Sequence, residues 1–304
     1  MVQEYLQQAI TAHKLPPHFA QFVSDFYLPI AQSVNNKLQS LRQTDAQKTL
    51  ILGVQGTQGS GKSTLADFLK RILQTQHHLS VAVVSIDDFY HTLAARRQLA
   101  NDVHPLLVTR GVPGTHDIPL AKYTLETLMD LKEGDQLALP RFDKAVDDRA
   151  DETSWPVVDG PIDIVIFEGW CVGAQPQSSE QLSDAVNAFE QTEDSDGSYR
   201  RYVNTQLAEH YPAIFGLLDA LVVMTAPSFD VVYQWRALQE KKLADKLALD
   251  PTLDASGVLN DTQLVRFISH YERLTSHCLN TLPQQADWIL SLDAQHNITR
   301  MHGH

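Results

Sequence analysis

One stretch near residue 60 has the residue types and spacing of a phosphate-binding loop. The sequence GTQGSGKS, residues 56–63, matches the pattern G-x-x-x-x-G-K-[ST] at every position. Glycines let the backbone bring consecutive N–H groups around an anion, Lys62 can reach the β- and γ-phosphates, and the Ser63 hydroxyl can ligate Mg²⁺. We therefore predict a nucleoside triphosphate site. Its residues are Gly56, Thr57, Gly59, Ser60, Gly61, Lys62, Ser63 and Thr64.

Acidic residues at the ends of two apolar runs are candidates for the chemistry beside the phosphates. Asp87 and Asp88 follow VAVVSI, and Glu168 follows IVIF. A carboxylate can orient a substrate hydroxyl and accept its proton, or hold Mg²⁺ directly or through water. We assign the hydroxyl to Asp87, with metal coordination or capping as the alternative, and Mg²⁺ to Glu168, with a salt bridge as the alternative. If the strand continues through Asp88, alternation directs that side chain to the other face, as a supporting residue.

Composition narrows the class of protein. The chain has 304 residues, of which 43% are hydrophobic and 20% charged, and its net charge is −13. An acidic chain repels nucleic acid and anionic membranes, so we expect neither as a partner. Cys171 and Cys278 are the two cysteines, too few for a disulfide framework, and we expect a cytoplasmic protein. Composition leaves the oligomeric state open.

Alternating apolar runs and amphipathic segments must position these residues. The runs that predict strands are TLILGVQG (49–56), SVAVVSI (80–86), DIVIFEGW (163–170), DALVVMTAP (219–227) and DWILSLD (287–293). An amphipathic segment that starts at Thr64 predicts a helix between the first two runs. This order indicates a parallel βαβ unit. We therefore predict an α/β fold with a P-loop NTPase-type parallel sheet and helices on both faces.

Two further segments bear on domain organisation. Residues 3–41 have helical spacing, which Pro16 and Pro17 interrupt and Pro29 weakens. We predict an N-terminal helical extension over residues 1–48, packed on a P-loop domain over residues 49–304. A separate small N-terminal domain is the alternative. Residues 176–198 are polar and acidic, and they predict a helical insertion or a mobile surface loop.

A phosphate loop identifies a nucleotide site, and other signals must indicate the class of enzyme. The sequence contains no N/T-K-x-D motif, which a GTPase would use to bind its base. Glu168 stands where an assembly ATPase would carry an aspartate. Both observations favour a small-molecule kinase. A non-catalytic ATP-binding protein of kinase ancestry is the second class.

Several motifs together resemble those of the D-glycerate 3-kinase family. They are GTQGSGKST, SIDDFY, TRGVPGTHDIPL, PRFDKAVDDRAD, IVIFEGWCVG, YQWRALQEKKL and FISHYERL. The resemblance extends from the phosphate loop to about residue 275, which is most of the chain. The wider group contains the phosphoribulokinases, uridine kinases and pantothenate kinases. The resemblance implies transfer of the γ-phosphoryl group of ATP, with Mg²⁺, to the 3-hydroxyl of D-glycerate, with Asp87 as the base. A pantothenate-like or uridine-like acceptor is the alternative.

A small anionic hydroxy acid as substrate requires a local basic pocket in this acidic chain. Arg110, in RGVPGTHD, has the geometry to bind a carboxylate with two hydrogen bonds. His116 or Asp117 could bind a hydroxyl, with loop hydrogen bonding and helix capping as their alternatives. Lys144 and Arg149, in DKAVDDR, complete the predicted acceptor site.

Related kinases close an arginine-bearing lid over the phosphates. By resemblance, the segment YQWRALQEKKL supplies this lid here. Arg236 is its first candidate, and Gln239 and Lys241 are weaker ones. An ordinary exposed helix is the alternative reading of the same segment.

Overall fold

A mostly parallel six-stranded sheet lies at the centre of the computed structural model, which describes residues 2–248 and 259–303. The strands are β1 (Leu50–Gly56), β2 (Val81–Ser85), β3 (Gln136–Ala138), β4 (Phe142–Asp143), β5 (Asp148–Arg149), β6 (Val157–Asp159), β7 (Ile164–Gly169), β8 (Ala220–Thr225), β9 (Trp288–Leu292) and β10 (Ile298–Gly303). The order in the sheet is β10-β9-β8-β1-β7-β2, and only the β10–β9 pair among these is antiparallel. Two small ribbons pair β3 with β6 and β4 with β5.

Helices cover both faces of the sheet. They are α1 (Val2–Ala12), α2 (Phe19–Phe22), α3 (Leu28–Arg42), α4 (Lys62–His77), α5 (Leu93–Asp102), α6 (Ile118–Asp130), α7 (Ala188–Glu193), α8 (Ser198–Glu209), α9 (Pro212–Phe215), α10 (Phe229–Ala248) and α11 (Asp261–Thr281). Leu50, Leu52 and Val54 of β1 face a buried cluster shared with α1, α3 and α4. Ile51 faces the opposite cluster, shared with α6, α9 and α11. The predicted fold class is confirmed.

All five predicted strands of the main sheet are present, and the sequence analysis did not predict β10. Of the six residues in β10, only Ile298 is buried, because the strand lies at the sheet edge. Such a strand gives no apolar run to recognise. None of the helices in the described ranges combines the length and the apolarity needed to cross a membrane.

The N-terminal helices accommodate Pro29 through a change of helical register. A π-helical turn, Val23–Tyr27, joins α2 to α3, and the N–H of Leu28 donates to the carbonyl of Val23, five residues earlier. Pro29 lies at the start of α3, directly after this π-helical turn, so its missing N–H falls where the hydrogen-bond register of the helix changes. The chain therefore continues as a helix to Arg42.

An aromatic contact ties this extension to the helix that follows the phosphate loop. The ring centroids of Phe19 and Tyr27 lie 5.6 and 5.7 Å from the ring centroid of Phe68 in α4. The three side chains belong to one hydrophobic cluster, in which Tyr27 and Phe68 are buried. This shared cluster supports our proposal that the segment 1–48 is an extension packed on the main domain.

Three aspartates close the amino end of the sheet in the same way. Asp163, Asp219 and Asp287 each precede a strand, namely β7, β8 and β9. Each carboxylate accepts a backbone N–H at the start of the neighbouring strand. The donors are Ser80 to Asp163 at 2.7 Å, Ile51 to Asp219 at 2.9 Å and Leu221 to Asp287 at 2.9 Å. These bonds satisfy N–H groups that the parallel ladder leaves free.

Cations from the end of α3 and the segment after it pair with the same three aspartates. The pairs are Lys37 with Asp287 at 2.6 Å, Arg42 with Asp163 at 2.6 Å and Lys48 with Asp219 at 3.1 Å. The N-terminal extension therefore stabilises the amino ends of the strands, at the end of the sheet opposite the phosphate loop.

We predict that Asp219→Ala lowers the free energy of unfolding by about 1–3 kcal/mol, because the Ile51 N–H and the Lys48 ammonium lose their acceptor. Asp219→Asn keeps one acceptor oxygen and should cost less. Denaturant unfolding measures both. Kinetic constants of the two variants should match those of the unchanged protein, and an altered KM at unaltered stability would contradict the structural role.

Candidate active site

The phosphate loop joins β1 to α4. Gly61 has a φ of 92° and is the N-cap of α4, so the partly positive amino end of the helix opens onto the loop. Gly59 has a φ of 78°, and a Cβ there would lie 2.8 Å from the Cβ of Trp235. The hydroxyls of Thr57 and Ser60 are buried without a hydrogen-bond partner among the described residues. Free buried hydroxyls beside a helix amino end suit a bound anion.

Glu168 lies next to the phosphate loop because of strand register. It pairs with Val54 of β1 on one side and with Ser85 of β2 on the other. Its Oε1 accepts a hydrogen bond from Ser63 Oγ at 3.0 Å. Its Oε2 is buried and has no partner among the described residues. A hydroxyl and a carboxylate with a free oxygen form a donor set that fits Mg²⁺, which phosphate oxygens and water would complete.

The positive charges of Lys144 and Lys62 keep Asp87 as an anion. Its Oδ1 accepts from the Tyr90 hydroxyl at 2.9 Å, and its Oδ2 accepts from Lys144 Nζ at 2.6 Å. Burial raises the pKa of this carboxyl, but Lys144 and Lys62 outweigh burial and lower the pKa to about 2. Both oxygens thus have protein donors. The carboxylate is positioned to accept a hydrogen bond and carries its charge throughout the physiological range.

Asp88 points toward a different set of partners. Arg141 donates to its Oδ2 at 3.1 Å, and the Phe142 N–H donates to its Oδ1 at 3.3 Å. Burial raises the pKa of the Asp88 carboxyl. The strand ends at Ser85, and both aspartates lie in a 3₁₀ turn over Ile86–Phe89, which directs their side chains to different partners. The expected divergence is present, but the turn produces it and strand alternation does not.

A cavity of about 310 Å³ brings the phosphate loop, Asp87 and several cations together. The predicted residues that line it are Gly59, Lys62, Asp87, Arg110, Lys144 and Arg236, with Gln239. Sequence reasoning did not assign Gln58, Tyr90, Trp170, Phe267 and Tyr271, which also line it. All five lie within motifs quoted above: Gln58 in GTQGSGKST, Tyr90 in SIDDFY, Trp170 in IVIFEGWCVG, and Phe267 and Tyr271 in FISHYERL. Membership in those motifs was the signal that could have found them.

Arg110 reaches the cavity from a loop that aromatic residues hold. The Tyr271 hydroxyl donates to the Arg110 carbonyl at 3.1 Å, and the Trp170 indole donates to the Gly111 carbonyl at 3.1 Å. The two rings contact each other edge to face, with centroids 4.9 Å apart. The guanidinium of Arg110 pairs with the carboxylate of Asp147. This loop therefore presents a fixed cation to the cavity.

His116, Asp117 and Arg149 lie behind Tyr90, and none of the three lines the described cavity. The His116 ring stacks on Tyr90 at 4.6 Å, its Nδ1 bonds the Tyr211 hydroxyl at 2.6 Å, and burial lowers the pKa of the ring to about 3. Asp117 caps α6 and pairs with Arg149 at 2.9 Å. Arg149 also donates to the Tyr90 carbonyl at 3.3 Å. In this arrangement the three support the wall that Tyr90 forms.

The first turns of α10 cover the phosphate side of the cavity. Arg236 lines the cavity, pairs with Glu240 and lies 5.4 Å from the centroid of the Phe267 ring. Gln239 lines it as well, whereas Lys241 is exposed elsewhere on the helix. The segment therefore carries one cavity-facing cation.

A contact from the far end of the chain also holds the phosphate loop. His296, in the turn between β9 and β10, bonds the Gly59 carbonyl through Nε2 at 2.9 Å. Its ring stacks on Trp235 of α10 at 4.4 Å. Because His296 is more than 230 positions from Gly59, no local pattern could have indicated the contact.

The sequence and the fold are both similar to those of known kinases. The chain is 35% identical over 231 residues to the uncharacterized kinase mug58 of Schizosaccharomyces pombe, a match that spans 74% of this chain and 79% of that protein. It is 31% identical over 257 residues to the chloroplastic D-glycerate 3-kinase of Arabidopsis thaliana, which spans 81% of this chain and 52% of that protein. Its fold matches the D-glycerate 3-kinase of Cryptococcus neoformans with a TM-score of 0.72 and 25% identity, over 90% of this chain and 99% of that one.

The chain belongs to the D-glycerate 3-kinase family of P-loop kinases. No protein-family model matches it. The resemblance predicted from the motifs is confirmed, and the protein is a kinase that uses ATP. The match to the Arabidopsis D-glycerate 3-kinase covers about half of the length of that protein. In this member of the D-glycerate 3-kinase family, the cavity beside Asp87 is the candidate acceptor site.

The buried His116 should make stability depend on pH. Its pKa is about 3 in the folded protein, below the ordinary 6.5, so the unfolded chain takes up a proton first as pH falls. Stability is fully present above pH 6.5 and decreases toward pH 3. His116→Gln removes this titration. Between pH 6.5 and 3, the slope of the unfolding free energy against pH should therefore decrease by about 1.4 kcal/mol per pH unit.

Denaturant unfolding at several pH values measures the slope. His270, whose pKa burial lowers to about 4, offers a second variant. His270→Gln should flatten the slope only between pH 6.5 and about 4. An unchanged slope in His116→Gln would show that His116 does not titrate as the structure indicates.

Proposed function

We propose that the protein transfers the γ-phosphoryl group of ATP to the 3-hydroxyl of D-glycerate. One observation carries the proposal: the phosphate loop, the Asp87 carboxylate and the Arg110 guanidinium line one cavity of about 310 Å³. A phosphoryl donor, a hydroxyl acceptor and a substrate carboxylate would each meet a matching group in this small space. The names of the Arabidopsis and Cryptococcus relatives agree with that acceptor.

The donor side would use the loop amides, Lys62 and the amino end of α4 to hold the phosphates. Ser63 and Glu168 would hold Mg²⁺, whose charge would stabilise the phosphoryl group during transfer. Asp87 is not needed as a metal ligand in this arrangement, because Ser63 and Glu168 form the Mg²⁺ site. Each Asp87 oxygen has one protein donor, Tyr90 or Lys144, and a carboxylate oxygen can accept a second hydrogen bond.

The acceptor hydroxyl would donate a hydrogen bond to Asp87. A carboxyl with a pKa of about 2 is a weak base, so its main contribution would be to orient the attacking oxygen. Phosphoryl transfer requires little more than this, because bond making to the nucleophile is limited in its transition state. Lys144, paired with Asp87 at 2.6 Å, would keep the carboxylate charged and would also face the transferred group.

Arg110, Lys144 and Arg236 supply positive charge that the chain as a whole lacks, since its net charge is −13. Arg110 would bind the carboxylate of a small hydroxy acid. Trp170, Phe267 and Tyr271 line the cavity with aromatic surface, which would limit access of water to bound substrates. Excluding water in this way favours transfer over hydrolysis of ATP.

The cytoplasm is the location that we propose for this activity. Cys171 and Cys278 are both buried as free thiols, as expected of a protein in a reducing compartment. Nucleic acid is not part of the proposed activity, whose partner is a small anionic hydroxy acid.

An acceptor panel tests the proposal. With ATP and Mg²⁺, D-glycerate should be phosphorylated with a kcat/KM roughly 100-fold or more above that of glycerol, which lacks the carboxylate. Pantothenate and uridine complete the panel. Equal rates with glycerate and glycerol, or preference for uridine or pantothenate, would refute the proposed acceptor. ATP binding without transfer to any acceptor would instead support the non-catalytic class.

Asp87→Asn tests the role of the carboxylate. Because the amide cannot accept the hydroxyl hydrogen bond through a charged oxygen, turnover should fall by about two orders of magnitude or more, while ADP affinity is retained. Asp88→Asn is the matched control and should lose far less, since its partners are Arg141 and the Phe142 N–H. Near-normal turnover in Asp87→Asn would exclude the assigned role.

A further inference from the structure

A fully buried arginine lies outside the cavity and has no part in the chemistry described above. Arg96, in α5, has no exposed side-chain surface and is among the largest fully buried side chains of the described chain. Its guanidinium donates to three backbone carbonyls. They belong to His91 at 3.2 Å, Val108 at 2.6 Å and Asp147 at 2.6 Å. It also lies 3.1 Å from the Asp147 carboxylate.

Each of the three carbonyls belongs to a segment that carries a cavity residue. His91 directly follows Tyr90, Val108 precedes Arg110 by two positions, and Asp147 shares a hairpin turn with Lys144. No strand of the main sheet connects these segments to one another. Arg96 is therefore a common anchor for three loops that must keep a fixed spacing.

Asp147 is shared between two cations. Its carboxylate pairs with Arg96 and with Arg110 at the same oxygen. Both guanidinia also lie over the ring of Phe142, at 5.8 Å for Arg96 and 5.4 Å for Arg110. Two positive charges thus meet one negative charge. The cluster keeps one net positive charge, which a bound carboxylate would neutralise.

A buried charge is costly unless it is well paired, and an apolar side chain would fill the same space at a lower cost. Arg96 is consequently a poor choice for stability alone. The planar guanidinium has five donors in a fixed arrangement, which lets it bond several carbonyls at defined angles. Lysine, with one compact ammonium group, cannot reproduce that geometry.

We propose that Arg96, acting through Asp147 and the Val108 carbonyl, is a positioning residue that fixes Arg110 for the acceptor carboxylate. The inference rests on the proposed function, in which Arg110 binds that carboxylate. Arg96 itself does not reach the substrate. It sets where the Arg110 cation stands relative to Asp87 and Lys144, and so governs recognition of the acceptor and leaves the nucleotide site unchanged.

Arg96→Lys tests the proposal in the full-length protein. We expect KM for D-glycerate to rise about 10- to 100-fold, because a charge-assisted contact is misplaced. KM for ATP should stay within about twofold, since uniform nucleotide binding is untouched. Asp147→Asn is a second variant for the case in which Arg96→Lys folds poorly. Its side chain is partly exposed, asparagine tolerates the positive φ of 56° at this position, and the acceptor KM should rise in the same direction.

A double-mutant cycle with Arg110→Met separates positioning from a purely structural role. If Arg96 and Asp147 act through Arg110, their effect on the acceptor KM should largely vanish when Arg110 is already methionine. Effects that multiply independently, or an equal rise in the KM for ATP and for glycerate, would overturn the proposal. Asp219→Ala, at the opposite end of the sheet, is the control for a general loss of stability.

The same data distinguish this inference from the proposed function. Failure of the proposed function appears in the unchanged protein, as no glycerate-dependent rate. Failure of the Arg96 inference appears only in the variants of a protein that does phosphorylate glycerate. Calorimetric titration of D-glycerate in the presence of ADP gives a readout besides turnover, and it should show the same loss of acceptor affinity in Arg96→Lys.

Discussion

Strands β1, β7 and β2 are hydrogen-bonded in parallel register, so their carboxyl ends lie side by side at one end of the sheet. The positions of the side chains that line the cavity depend on this register. The register pairs Glu168 with Val54 and Ser85, so the carboxylate lies between the phosphate loop and the turn that carries Asp87. In a parallel sheet, ligands bind at the carboxyl ends of the strands. At the amino ends of the strands, aspartates paired with cations of the N-terminal extension link β7 to β2, β8 to β1 and β9 to β8. The scaffold is thus fixed at one end and chemically active at the other.

Charge pairing inside the cavity solves a problem that the composition creates. A chain with a net charge of −13 must gather cations to bind two anionic substrates, and gathered cations repel one another. Asp87 pairs with Lys144 and shares the cavity with Lys62, and Asp147 pairs with Arg96 and Arg110. Each carboxylate keeps two cations close without neutralising both. The remaining positive charge is available to phosphate and to an acid substrate.

Sequence reasoning succeeded where a motif carries its own geometry and failed where tertiary packing decides. GTQGSGKS predicts a strand, a turn and a helix, and the structure has all three. Arg96 stands beside Arg97 in AARRQLA, and no pattern shows that the first is buried and the second exposed. His116 has the residue type of a ligand, yet the ring of Tyr90 stacks on it and the described cavity does not include it. Residue type and loop position indicate a region, and only contacts between distant segments show which side chain reaches the ligand.

The acidic segment 176–198 shows what composition alone leaves undecided, namely which of its charges face solvent and which are buried. Its composition predicts a helical insertion or a mobile surface loop, and the segment contains α7 (Ala188–Glu193). Two of its charges are buried in ion pairs, Glu190 with Arg273 at 2.7 Å and Asp194 with Arg200 at 3.0 Å. Arg273 belongs to α11, the helix that also carries Tyr271, whose hydroxyl bonds the backbone of the Arg110 loop. The segment therefore stabilises the wall of the acceptor cavity from outside. Glu190 of this polar segment thus holds in place, through its buried ion pair with Arg273, the helix that contacts the backbone of Arg110.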